Sequence, residues 1–184
     1  MLVVCNTIDR ARDVHSHLVK SLPKGSDPLL LIGRSRQYER EAIVERVLGL
    51  FGADRAESSD TAVLVATQTV EVGIDLDATT LVTESASWDA LVQRLGRVDR
   101  RGNSGGTVIV VDDDDPKPPV YGESRKATAN YLRTLLACSE DGLDVSPLAL
   151  RQLVPPGEAF VERAAVHIFS RLTWMPGCAQ TRRR

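Results

Sequence analysis

The sequence is short of cysteine, histidine, lysine and aromatic side chains, and it has no long apolar run. Its three cysteines (Cys5, Cys138, Cys178) are odd in number and far apart, which argues against a disulfide framework. Without histidine partners nearby they also argue against a zinc site. No apolar stretch approaches the roughly 20 residues that a membrane helix needs. The opening Met1-Leu-Val-Val-Cys5 lacks the basic and long apolar segments of a secretory signal. These absences together predict a reducing, cytoplasmic setting with no membrane partner. Only four of the 23 basic residues are lysine (Lys20, Lys24, Lys117, Lys126), and the formal net charge is -2. Net charge therefore does not advertise a nucleic-acid binder. Arginine placement carries more information, because the guanidinium fork matches phosphate and carboxylate bidentately, although codon bias would give the same excess.

What is present is the composition of a globular protein, 42% hydrophobic and 26% charged over 184 residues. That length suits one compact domain with an appendage of about thirty residues. Five short apolar runs stand out: 2–5, 29–32, 62–66, 80–83 and 108–111. Most are β-branched, and they are continuously apolar rather than alternating, as strands buried on both faces of a parallel sheet are. Between them the period is helical. Ile8, Ala11, Val14 or His15, Leu18 and Leu22 form one stripe, with Asn6 or Thr7 as N-cap. Ile43, Val47, Leu50 and Phe51 form a second, stopped at Gly52. Ser87 can cap a third, carrying Trp88, Leu91, Val92 and Leu95, and Tyr131, Leu132, Leu135 and Leu136 mark a fourth. Alternating strands and helices predict an α/β layer fold.

Residues 52–60 read as a polar loop, and Asp112-Asp-Asp-Asp-Pro116-Lys-Pro-Pro119 as a stop after the last strand. The expected division is a sheet domain over 1–115, a helical extension over 116–153, and a linker with an amphipathic helix over 154–184. In that helix Phe160, Ala164, Ile168 and Leu172 share a side, and the end of the chain is expected to be disordered.

Two stretches carry candidate chemistry. In Gln93-Arg94-Leu95-Gly96-Arg97-Val98-Asp99-Arg100, a continuous helix would put Gln93, Arg97 and Arg100 on one face, opposite Trp88, Leu91, Val92 and Leu95. Neighbouring arginines without intervening carboxylates suit a polyanion, and their forks suit a phosphoryl group in transfer. The plainer alternative is a solvated arginine pair, and Gly96 weakens the continuous helix. Ala66-Thr-Gln-Thr-Val-Glu-Val-Gly-Ile-Asp-Leu-Asp77 leaves a buried strand, where open α/β sheets bind ligands. Thr67, Gln68 and Thr69 suit a phosphate backbone or nucleotide, Gly73 permits close backbone approach, and Asp75 can accept from a ribose. The alternative is an ordinary polar loop.

Together, and in order, these segments resemble the second RecA-like domain of superfamily 2 helicases. Leu2-Val-Val-Cys-Asn-Thr7 resembles motif IV, 66–77 motif V and 93–100 motif VI (Q-R-x-G-R-x-x-R), over roughly residues 1–112. The run ATQTVEVGIDLDATTLVTESASWDALVQRLGRVDRRG is similar to the helicase part of the CRISPR-associated helicase-nuclease of type I systems. So are Val120-Tyr121-Gly122-Glu123 with the Leu-rich helix after it, and Asp144-Val-Ser-Pro-Leu-Ala-Leu-Arg151. Gly33 to Arg40 stands where that family has an HSRF…DR segment, without its histidine or phenylalanine.

The resemblance implies a RecA-like parallel sheet and a role in CRISPR-linked degradation of foreign DNA. ATP with Mg²⁺ would lie between this domain and an N-terminal RecA-like domain that supplies the metal ligands. Arg97 and Arg100 would face the γ-phosphate, and Gln93, Gly73 and Asp75 would contact the nucleotide. Thr67 and Gln68, with Asn6, Thr7 and Arg34, would contact nucleic acid. Implied partners are that N-terminal half with its nuclease domain, single-stranded DNA and a CRISPR effector complex. The sequence has no G-x-x-x-x-G-K-[ST] loop, no D-E-x-[DH] box and no His-Asp pair of a nuclease, so no metal site is expected. The chain reads as a fragment or split half, inactive alone. The other readings are a different superfamily 2 RNA or DNA helicase half, and a non-catalytic RecA-like binding module.

Overall fold

The computed structural model describes residues 1–23, 26–33, 37–52, 55, 62–102, 105–112, 120–138, 142–150 and 152–153. Five strands, β1 (Leu2–Val4), β2 (Leu29–Leu31), β3 (Leu64–Ala66), β4 (Thr80–Glu84) and β5 (Thr107–Val111), pair in parallel in the order β2-β3-β1-β4-β5. The first strand is thus the central one, with Leu2 in register with both Leu64 and Leu81. Helices α1 (Ile8–Ser21), α2 (Gln37–Phe51) and α3 (Trp88–Leu95) follow β1, β2 and β4. This is the RecA-like sheet flanked by helices that the sequence predicts. Two further helices, α4 (Gly122–Ala137) and the single turn α5 (Pro147–Leu150), come after β5. No helix among the described residues is long and apolar enough to cross a membrane.

Continuous apolar runs become buried strands because helices cover both faces of the sheet's middle. On one side Ala11, Ile8, Val14 and Leu18 of α1 pack on Cys5, Ile32 and Val65. On the other, Val47 and Phe51 of α2, and Leu91, Val92 and Leu95 of α3, pack on Leu2, Val4, Leu31, Leu64 and Leu81. Leu50, expected in the α2 stripe, faces solvent. The run 108–111 also departs from expectation: it is an edge strand with one bare face, and Ile109 and Val111 are half exposed. With β4 as its sole partner and α1 lying over β2 and β3, nothing among the described residues covers that side.

Local chemistry sets the helix ends. The Thr7 hydroxyl accepts the Arg10 amide at 3.3 Å, so Thr7, not Asn6, is the α1 cap. Gly52 ends α2 because a Cβ there would run into the Leu48 carbonyl oxygen. Ser87 holds the cap position of α3 without a side-chain hydrogen bond. Leu64 and Leu81 are fully buried, so Leu64→Ala or Leu81→Ala is expected to cost about 2–5 kcal/mol, read by urea unfolding. A loss well below that range would mean the sheet centre is loosely packed. The predicted helix over 154–184 lies outside the described residues.

Candidate nucleotide and nucleic-acid site

The carboxyl ends of the parallel strands gather Asn6 and Thr7 after β1, Gly33 after β2, and Thr67 and Gln68 after β3. From Thr67 the chain makes one 3₁₀ turn (Gln68–Val70) and runs back to the start of β4. Along it Val70, Ile74, Leu76 and Ala78 are buried, whereas Val72, Gly73 and Asp75 face out. Gly73 has φ +89, a left-handed value that glycine adopts without strain. No neighbour crowds it, so the turn's shape, not packing, demands glycine.

The continuous helix through Arg100 is not what forms. α3 ends at Leu95, and Gly96 and Arg97 turn the chain so that Val98 bridges Ala78 in parallel. The Ala78 amide donates to the Arg97 carbonyl, and the Asp99 amide to the Ala78 carbonyl, both at 2.8 Å. Asp99 takes φ +42, and its carboxylate accepts the Gly105 amide at 2.9 Å. Gln93, half-buried on α3, therefore does not share a helix face with Arg97 and Arg100. The helix ends at Gly96 (φ -65, ψ 0), and the turn that follows lets the arginines meet the 70–77 segment.

That meeting is specific. Arg97, almost buried, donates from Nε to the Val70 carbonyl at 2.9 Å and from Nη2 to the Glu71 carbonyl at 2.8 Å. Arg100 is partly exposed and ion-paired with the exposed Asp75. The Arg100 amide donates to Asp77 Oδ1 at 2.8 Å. Asp77, buried, also takes Arg55 Nη1 at 3.3 Å and faces Arg101 Nε at 3.9 Å. The two arginines are thus not a cluster without carboxylates. Asp75 pairs with the second of them and Asp77 accepts its backbone amide, so charge repulsion alone does not argue for a polyanion.

The expected nucleic-acid residues divide. Asn6 is turned inward: its Nδ2 donates to the Ser85 carbonyl at 2.8 Å, and its Oδ1 accepts Arg94 Nη2 at 3.0 Å. Gln68 Nε2 donates to the Asn6 carbonyl at 2.8 Å. Thr67 is buried, while Thr7 stays partly exposed at the α1 cap. Arg34 lies outside the described residues. Beside Asn6 the Cys5 thiol is raised to about 11, first by burial and then by Glu84. It is therefore a packing residue at neutral pH and not a nucleophile. Among the described residues no group of three or more His, Cys, Asp or Glu could hold a metal ion.

A residue given no role in the sequence reading holds this region together. Arg94 is fully buried. It donates from Nε to Glu71 Oε1 at 3.0 Å, and from Nη1 to Thr83 Oγ1 at 2.8 Å and the Glu84 carbonyl at 3.0 Å. Its Nη2 reaches Asn6 Oδ1 and, at 3.3 Å, the Tyr121 hydroxyl. Its place three residues after Leu91, on the apolar side of α3, is the one sequence signal of this role.

Residues 1–103 match the family model described as CRISPR-associated nuclease/helicase Cas3, C-terminal. The chain is 34% identical over 144 residues to the CRISPR-associated helicase Cas3 of Thermoproteus tenax, covering 78% of this chain and 21% of that protein. Among solved structures, one titled as a CRISPR-associated protein superposes with TM-score 0.64 at 23% identity, over 94% of this chain and 22% of the other. T. fusca Cas3-ADP superposes with TM-score 0.58 at 23% identity, over 97% and 20%. The chain thus spans about a fifth of these relatives.

Proposed function

Because the chain belongs to the family of CRISPR-associated nuclease/helicase Cas3 C-terminal domains, we propose that it is the second motor domain of an ATP-dependent nucleic-acid helicase. It works against a separate N-terminal RecA-like domain and serves CRISPR-linked degradation of foreign DNA. The observation that carries this reading is the joining of the 70–77 segment to the 97–100 turn, with Arg100 and Asp75 both reachable from solvent.

In this reading ATP binds between the two motor domains, and the N-terminal half contributes the phosphate loop and the Mg²⁺ ligands. Arg100 turns toward the γ-phosphate as negative charge builds there, Arg97 meets it from where the Val70 and Glu71 carbonyls hold it, and Asp75 exchanges its arginine partner for the nucleotide. Gln93 and the Gly73 turn complete the nucleotide contacts. The chemistry of the donor set fits, because a guanidinium held by an exposed carboxylate can change partners at little cost. Gln68 and Thr7 face the nucleic-acid strand, whereas Asn6 and the buried Thr67 shape that edge from within. Single-stranded DNA, the nuclease domain and a CRISPR effector complex are the partners this assignment brings.

The isolated chain is expected to hydrolyse ATP no faster than buffer, because arginine forks stabilise a transition state that nothing here assembles. Phosphate release by the purified chain checks this. Steady turnover that is sensitive to Arg97→Ala would overturn the division of labour between the two domains. Adding the N-terminal half should restore turnover, and its absence from the pair would remove the motor reading.

A further inference from the structure

Tyr121 lies beyond the sheet, beyond both motif-like segments and beyond the matched residues 1–103. Yet its side chain enters the Arg94 network. The hydroxyl accepts from Arg94 Nη2 at 3.3 Å and donates to Glu71 Oε1 at 3.2 Å, and the ring lies 5.8 Å from the guanidinium carbon. Its backbone is left-handed, φ +65 and ψ -9, a conformation unfavourable for a bulky side chain unless its surroundings hold it. Burial, followed by the Glu71 charge, raises the phenol above its ordinary value, so the hydroxyl keeps its proton.

Glu71 is gripped at both ends. Arg94 and Tyr121 take its carboxylate, and Arg97 takes its carbonyl. Arg94 also holds Asn6, whose carbonyl accepts Gln68. One network therefore runs from the strand ends assigned to nucleic acid to the arginine assigned to ATP. Tyr121 is the member that brings in α4 and whatever follows it.

Resting on the motor assignment above, we propose that Tyr121 is a positioning residue that couples nucleic-acid binding to ATP turnover by fixing Glu71 against Arg94. Without its hydroxyl, Glu71 keeps Arg94 but loses its second donor. The 70–71 carbonyls then hold Arg97 less sharply when the strand binds.

The test uses the enzyme assembled with its N-terminal half, and oligodeoxythymidylate as the probe. Tyr121→Phe keeps the ring and the bulk, so the variant folds, and a thermal melt checks this. The ratio of stimulated to basal kcat should fall about fivefold to tenfold, the scale of one ordinary hydrogen bond, with KM for ATP within about twofold. Glu71→Gln should lower the same ratio. An unchanged ratio in Tyr121→Phe overturns the proposal. So does a loss spread equally over kcat, KM, oligonucleotide affinity and melting temperature, which marks a merely structural tyrosine. A wild-type pair that turns over ATP while Tyr121→Phe matches it removes this proposal alone. A wild-type pair without turnover removes the motor assignment as well.

Discussion

Arg100→Ala, in an enzyme assembled from this chain and its N-terminal partner, is expected to lower kcat for ATP by about 10³-fold or more. KM should move by less than about tenfold, because a guanidinium that engages charge developing on the phosphoryl group contributes mainly in the transition state. Arg100 is the cleaner position to test, since it is partly exposed and its side chain pairs with the exposed Asp75. Arg97 also holds the Val70 and Glu71 carbonyls, so Arg97→Ala should lose comparable turnover together with some stability. Arg100→Lys should restore little, because it keeps the charge and loses the fork. Arg101→Ala is the control: that side chain is exposed, 3.9 Å from Asp77, and its loss should change kcat by less than about twofold. Steady-state rates at saturating ATP decide the matter. A near-normal kcat in Arg100→Ala would reduce the Arg100–Asp75 pair to a surface ion pair.

Arg94→Met is expected to be the most destabilising single change at the site, by about 3–5 kcal/mol in urea unfolding. The guanidinium is fully buried and the Glu71 side chain is only 14% exposed. Removing the cation therefore leaves the Glu71 carboxylate without its counter-charge, Thr83 Oγ1 and Asn6 Oδ1 without this donor, and the Glu84 carbonyl with the Thr83 hydroxyl in its place. Shape alone does not explain the loss, since methionine fills much of the same volume. The double variant Arg94→Met/Glu71→Gln should recover part of it, because the stranded charge is gone. Additive losses would show that the packing of the long side chain, and not its charge, is what matters.

The strands were legible because a short, continuous apolar run has few other fates in a chain this polar. Their order was not, since it depends on which runs meet after helical crossovers of unequal length. The run 108–111 shows the limit. Its composition matches a central strand, but its position at the edge leaves Ile109 and Val111 half bare. The segments around 66–77 and 93–100 were identifiable by residue type, yet the geometry joining them turns on Gly96. A helical wheel carries the arginines past that glycine onto one face, whereas the chain turns and delivers each to a different part of the 70–77 segment. Arg94 escaped notice for a related reason. A buried arginine reads as a surface residue unless its acceptors are known, and these come from residues 6, 71, 83, 84 and 121.

The central place of β1 bears on how the chain acquires its shape during synthesis. Among the five strands Leu2–Val4 is synthesised first, but its partners are residues 64–66 on one side and 81–83 on the other. Until Ala66 has been made this apolar strand has neither neighbour, and the second waits for Thr83; β2, whose partner among the described residues is β3, also waits for Ala66. The first third of this domain therefore cannot close the sheet by itself and must keep its apolar segments from other chains in the meantime. Parallel pairing across such separations also makes assembly slow relative to local helix formation. α1, capped by Thr7 and carrying Asp9 in its first turn and Lys20 in its last, can form early and shield one side of those strands while the rest of the sheet is still being made.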